Sequence, residues 1–238
     1  MSSFALLDAT VWVGGYDFTG HSNSVSLTTE VEELDVTPFG AGGWRKRIGG
    51  LRSASSETAG FWEAAPDEQM FTNLSQTGLA ATFSPTGDEG GVAYFYQGAE
   101  FSYEAFGAVG EACPFSMALS GSEGHSGLVR GRLLASTTTV DATGQLGSIV
   151  QAGAVDDGQY LYAALHTFAA GTTITVTVES DDTVGFADPT TRATLGPVSA
   201  VGGTWAARVA GPITDTYWRL NVSAITGEHT VAGVIGIQ

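Results

Sequence analysis

Ser24-Val-Ser-Leu-Thr-Thr-Glu-Val-Glu-Glu-Leu-Asp-Val36 alternates along most of its length. Val25, Leu27, Thr29 and Val31 fall on one side, and Ser26, Thr28, Glu30 and Glu32 on the other. A period of two is that of a β-strand, whose successive side chains point to opposite faces. The stretch therefore predicts a long strand with one face packed and one face wet. Such a strand sets the fold class as all-β.

The flanking sequence continues the pattern. Ala5–Val13 predicts a strand closed by the turn Gly14-Gly15. Downstream, Phe39–Gly50 is rich in glycine and carries the basic cluster Arg45-Lys46-Arg47, so it reads as a loop. Leu51–Glu63 reads as the next strand. Pro66–Leu74 predicts the one short helix, with proline in its first turn and acids that suit the helix dipole. Leu79–Ser84, Val92–Phe106, Cys113–Leu119 and Ser126–Leu134 read as further strands. The run Ala135-Ser-Thr-Thr-Thr-Val-Asp-Ala-Thr-Gly144 is small, polar and unpatterned. It predicts a linker over 136–146 that divides residues 1–135 from a second domain, 147–238. There, Tyr160–Phe168, Thr172–Glu179, Ala193–Val198, Trp205–Val209, Tyr217–Ile225 and Thr230–Ile237 recur at spacings that predict a small β-sandwich. The two halves share no clear period.

Composition narrows the function. The chain has 238 residues, 9 basic against 25 acidic, for a formal charge of −16. Residues 1–135 hold 16 acids and 6 bases, and residues 136–238 hold 9 and 3. A chain so acidic repels the phosphate backbone and lacks the basic stripe of a nucleic-acid binder. The charge fits either a soluble surface or one that nucleic acid passes without sticking. Cys113 is the only cysteine, which rules out an intrachain disulfide. Met1-Ser2-Ser3-Phe4 has neither the basic nor the apolar region of a signal peptide, and no apolar run approaches a membrane span. The expectation is synthesis in the cytoplasm, no membrane insertion, and solubility until assembly.

Chemistry is sparse. Ser122, Glu123 and His125 share the loop Gly121–Gly127, but the Gly-x-Ser-x-Gly elbow is missing, so a solvated loop is the better reading. Acids cluster at Glu32-Glu33 with Asp35, at Asp156-Asp157 and at Asp181-Asp182. None has the spacing of a calcium loop. His21, His125, His166 and His229 are scattered, without zinc spacing. The sequence thus predicts no catalytic residue, no metal and no cofactor. Trp205, Tyr217 and Trp218 make a possible glycan-contact face, with sandwich core as the alternative for aromatics on strands.

The ordered set Val11-Trp-Val-Gly-Gly-Tyr-Asp-Phe-Thr-Gly20, Asn23–Leu27, Glu32-Glu-Leu-Asp-Val-Thr-Pro-Phe-Gly40, Arg47-Ile-Gly-Gly-Leu51 and Gly60-Phe-Trp-Glu63 resembles the major tail tube proteins of long flexible-tailed phages, especially those of actinobacterial hosts. Val92–Tyr96 and Gly127–Gly131 fit the same pattern, and the likeness covers about residues 5–135. Tyr160–His166 and Gly211–Arg219 look like an appended domain of similar proteins. The resemblance implies a tail-tube-type β-sandwich or barrel with one short flanking helix, here followed by a second small β-sandwich on the outer tube surface. It implies hexameric rings whose long strands join into one inner barrel, stacked into a virion tail tube that conducts DNA into the host. A pseudo-hexameric trimer is the alternative. The implied partners are further copies, the tape measure, tail terminator and distal tail proteins, and DNA in transit without specific binding.

On that basis Ser26, Glu30, Glu32, Glu100 and Glu104 are candidates to face the lumen. Arg45, Lys46, Arg47 and Arg52 are candidates for contact between rings. The competing function from another class is a carbohydrate-binding or adhesin module; a hydrolase ranks last for want of a site.

Overall fold

The structure is a computed structural model, and it describes residues 9–39, 42–122 and 127–238. It is almost entirely antiparallel β, with strands β1 (Thr10–Val13), β2 (Tyr16–Asp17), β3 (Ser22–Asp35), β4 (Arg47–Phe61), β5 (Leu79–Ser84), β6 (Val92–Ala105), β7 (Pro114–Gly121) and β8 (Val129–Val140) in the first half. The second half holds β9 (Gly144–Gln151), β10 (Tyr160–Ala169), β11 (Thr173–Asp181), β12 (Thr190–Val198), β13 (Gly202–Trp205), β14 (Val209–Ala210), β15 (Tyr217–Thr226) and β16 (His229–Ile237). The helix α1 (Ala64–Asn73) starts two residues before the expected Pro66, which still lies in the first turn, where its missing N–H is no loss.

The large sheet runs β13-β10-β16-β8-β6-β5-β1-β2. It mixes strands of both halves, so the expected linker needs correction. Residues 136–140 complete β8, and 144–146 open β9. Thr138 and Thr139 pair with Val231 and Thr230 of β16. The short Thr run had no apolar alternation to mark it, and its partner lies about ninety residues away. The strand expected over Trp205–Val209 is likewise split, with β13 ending at Trp205 and β14 starting at Val209.

Three cores follow from this arrangement. β8, β10 and β16 pack one face on a second sheet, β12-β11-β15-β9, around Leu165, Val176, Trp218, Leu220 and Ile235. A second core holds Val11, Phe18, Met70, Tyr96, Phe115, Met117 and Leu119 of the first half. The third joins Trp12, Phe95 and Leu133 to Tyr162, Ala164 and Val234. The large sheet curls so that β13 returns to β5 and to the Gly14-Gly15 turn. At Gly15, φ is +80°, and a Cβ would stand 2.4 Å from the backbone nitrogen of Gly202. Only glycine allows that approach. β10 and β16 are buried on both faces, which is why each reads as a continuous apolar run rather than an alternating one.

Candidate functional site

β3, β4, β7 and the second half of β6 pair in that order as a four-stranded branch of the large sheet. Residues directly opposite in antiparallel strands share a face. One row is Ser24, Ala59, Ser116 and Glu104. The next is Ser26, Glu57, Ala118 and Ser102, followed by Thr28, Ser55, Ser120 and Ala99. Glu30 and Ser53 extend it along the β3–β4 arm. The face is therefore made largely of small hydroxyl and methyl side chains with four exposed carboxylates, Glu30, Glu32, Glu57 and Glu104, and no cation. The opposite face carries Val25, Leu27, Met117 and Leu119 into the second core. The hydroxyl of Ser56 on that face is satisfied by Tyr96 at 2.7 Å. Burial pushes the Tyr96 phenol up to about 12.

Four of the five lumen candidates, Ser26, Glu30, Glu32 and Glu104, are exposed; Glu32 lies against Gly50 on the arm. Glu100 is a correction. It is fully buried, with both carboxyl oxygens unpartnered, and desolvation pushes its pKa up to about 8. The register of β6 on β7 shifts between Glu100 and Ser102, so Phe101 is an extra residue. A bulge of one residue reverses the parity of everything before it. Sequence reasoning missed Glu57. Its strand alternates Ser53, Ser55, Glu57 with Ala54, Ser56, Thr58, and both sets are small, so no contrast marks the wet face.

Two edges of this sheet have no strand beside them. Among the described residues β3 pairs with β4 alone. On the other side, β6 has β5 as far as Gly98, then a single bridge from Glu100 to Leu74. Residues 101–105 of that edge are open. Open edges of this length recruit further strands.

The expected loop Phe39–Gly50 is partly strand, since Arg47–Gly50 belong to β4. Arg47 Nε meets Glu33 Oε1 at 2.5 Å on the exposed arm. Arg52 stands opposite Val31. The Lys46 amide donates to Thr37 Oγ1 at 2.8 Å, and Thr37 hydrogen bonds hold Asp35 below the usual carboxylate range. From Thr28 to Asp35 and from Arg47 to Ser53 the arm is exposed on nearly all sides, Gly50 excepted.

The aromatic trio is not brought together. Trp218 is buried and donates Nε1–H to the Gly153 carbonyl at 2.8 Å. Trp205 lies in the other sheet against Phe95, with ring centroids 5.2 Å apart. Tyr217 neighbours Trp218 and so points to the opposite face of β15. Asp181 and Asp215 are engaged locally: Asp181 accepts from the Thr183 and Asp188 amides, and Asp215 accepts from Ser180 and Arg192. Among the described residues no group of three His, Cys, Asp or Glu is placed to hold a metal. Ser122 Oγ accepts from the Gly78 amide at 3.0 Å, while Glu123 and His125 lie outside the described residues.

No family model matches the chain, and no curated protein matches it. Among solved structures, a chain of the native gene transfer agent virion is 22% identical, covering 50% of this chain and 92% of its own, with a TM-score of 0.39. A chain of the tail of the empty gene transfer agent particle is 21% identical, covering 47% and 84%, with a TM-score of 0.38. The Dit protein of phage SPP1, a hub adsorption protein, is 10% identical, covering 97% and 99%, with a TM-score of 0.41. TM-scores this low carry no inference about function.

Proposed function

We propose that this chain is a structural virion protein that closes with copies of itself into rings, and that stacked rings form a phage tail tube conducting DNA to the host. The observation that carries the reading is the four-stranded sheet with an open edge on each side. The β3 edge of one copy continues into the β6 edge of the next. Ring closure leaves no edge exposed. The hydroxyl and carboxylate face around Glu30, Glu57 and Glu104 then lines the channel. Such a wall repels phosphates and offers them no cation to stick to. The ordered motifs between Val11 and Glu63 support the same reading, and β3 and β4 carry most of them.

Six copies are preferred over three. The chain holds one arm-bearing sheet, and the β12-β11-β15-β9 sheet has no counterpart to the β3–β4 arm. The second sandwich would face outward, and the tape measure, terminator and distal tail proteins would meet the ends of the tube. The test is negative-stain electron microscopy with sedimentation across a concentration series. Rings or hollow tubes are expected. A chain that stays monomeric throughout, even when seeded with fragments of assembled tube, overturns the reading.

A further inference from the structure

Where the two halves of the chain meet, a cleft of about 460 Å³ opens between the C-terminal end of α1 and residues 201–203, which lead into β13. Gln69, Thr72, Asn73, Gln76 and Thr77 form its α1 side. Leu79 and Val201, the latter 53% exposed, give it apolar surface. A second cleft, of about 500 Å³, starts from the same residues 201–203 and continues past Pro197, Ser199 and Thr204. Among the described residues neither is lined by a charged side chain. The α1 amides hold one another in place. Gln69 Nε2 donates to Asn73 Oδ1 at 2.9 Å, and Gln76 Nε2 to the Thr72 carbonyl at 2.6 Å. These bonds use one end of each amide. The Oε1 acceptors of Gln69 and Gln76 are left over, and so is the Asn73 Nδ2 donor, which is buried without a partner among the described residues. Buried polar groups are nearly always paired, so an orphan donor marks a missing acceptor. Gly14 keeps the space beside it: a Cβ there would stand 3.7 Å from Asn73 Nδ2 and 3.2 Å from Leu79 Cδ2.

We infer that this cleft binds a neutral oligosaccharide, with one sugar unit among the α1 amides and the next units along 197–204. The chemistry of the lining chooses that class. It presents acceptors, a donor and hydroxyls together, and a sugar hydroxyl both donates and accepts. Leu79 and Val201 suit the C–H face of a sugar ring. The size falls in the range of small-molecule sites, which favour the junctions between parts of a fold. An acidic ligand would find no cation here, and neither would a nucleic acid. A peptide would dock by extending a strand. The edge of β13 is blocked for that at Gly203, where a Cβ would stand 2.7 Å from the Cβ of Ala80. The cleft needs no second copy of the chain, so this inference stands whether or not rings form.

The test screens the full chain on an array of neutral and uronate-containing oligosaccharides and titrates the hits by saturation-transfer NMR, with acetyl-trialanine amide as the peptide control. Neutral sugars alone are expected to bind, and oligosaccharides more tightly than their single units. Asn73→Ala is expected to weaken binding about tenfold, the worth of one hydrogen bond. Because Asn73 is buried, Val201→Asp serves as a second variant. Val201 is exposed, so the melting temperature is expected to hold while sugar binding falls at least as far. Uronate-containing chains bound as well as neutral ones overturn the neutral class. Binding untouched by both variants puts the sugar elsewhere and overturns the site. A chain that takes the peptide and no sugar assigns the cleft to peptide. A chain that takes neither leaves an ordered water beside Asn73 and overturns the inference outright.

Discussion

Glu100 and Glu104 stand on opposite faces of β6 although they are four positions apart, because Phe101 between them is an extra residue of β6 with no partner on β7. Glu104 is in water, whereas Glu100 is sealed at the end of α1, where the Ser75 amide donates to its backbone carbonyl at 3.0 Å. Two like side chains of one strand therefore have opposite chemistry: one is a surface anion and the other a neutral acid.

That neutral acid makes stability depend on pH. Burial raises the Glu100 pKa from 4.5 to about 8. Between those values the folded chain keeps a proton that the unfolded chain releases, so stability falls as pH rises through the window. The slope approaches about 1.4 kcal/mol per pH unit at most. Glu100→Gln keeps the shape and cannot ionise. It is expected to flatten the decline and to exceed the parent at about pH 8 by on the order of 2 kcal/mol. Urea unfolding of the dilute monomer at several pH values measures this. Identical slopes in parent and variant count against a buried neutral Glu100.

His166 tilts the balance the other way. It is buried at the third core, its Nε2 lies 2.9 Å from Thr82 Oγ1, and desolvation lowers its pKa from 6.5 to about 3. The unfolded chain takes up a proton below 6.5 that the folded chain refuses, so this contribution is whole above 6.5 and is lost as pH falls. Together the two groups leave a plateau between about 4.5 and 6.5. His166→Gln is expected to soften the acid limb only in part, because Asp215, held low by Ser180 and Arg192, keeps its own. Thr82→Val leaves Nε2 without its partner and is expected to destabilise by about 1–3 kcal/mol at neutral pH. An unchanged melting curve for Thr82→Val means that the bond is not formed in solution.

Phe101 separates folding from assembly. It is 66% exposed on the open edge of β6, so Phe101→Asp removes little from the monomer, within roughly 0.5 kcal/mol. Placed between two joined copies, the same charge would be stripped of water. The variant is expected to melt like the parent yet to sediment as a monomer at concentrations where the parent forms rings. Rings of normal size from Phe101→Asp place the junction elsewhere.

Legibility in the sequence followed the contrast between faces. Leu79–Ser84 is the same in both readings, and the long alternating strand around Ser24–Val36 differs by two residues at most. β10 and β16 showed as apolar runs because both faces are packed. β9 and the end of β8 were invisible because Thr138, Thr139 and Gly144 are held by cross-strand partners rather than by their own side chains. Glu100 misled because a bulge is a property of two strands, and Phe101 gives no local sign of being unpaired. Trp218 and Trp205 looked alike in sequence, and only the sheet order assigns them to different cores.

The polar face makes the sharpest claim about what the assembled particle does. Glu30, Glu57 and Glu104 share one face by strand register, and each is exposed, so exchanging all three for lysine disturbs no packing. If this face lines the channel, ring closure concentrates every copy's charges on one axis. A wall of lysines then holds duplex DNA at low salt and releases it steeply as salt rises, since each neutralised phosphate adds about 0.9 to the salt slope. The parent is expected to bind none. Filter binding across a salt series measures both. The same triple exchange in a Phe101→Asp background is expected to lose most of the binding, because three lysines on a lone monomer make a weak site. Equal binding by monomer and ring locates these residues outside the channel, and an assembled lysine variant that ignores DNA takes the face away from the conduit altogether.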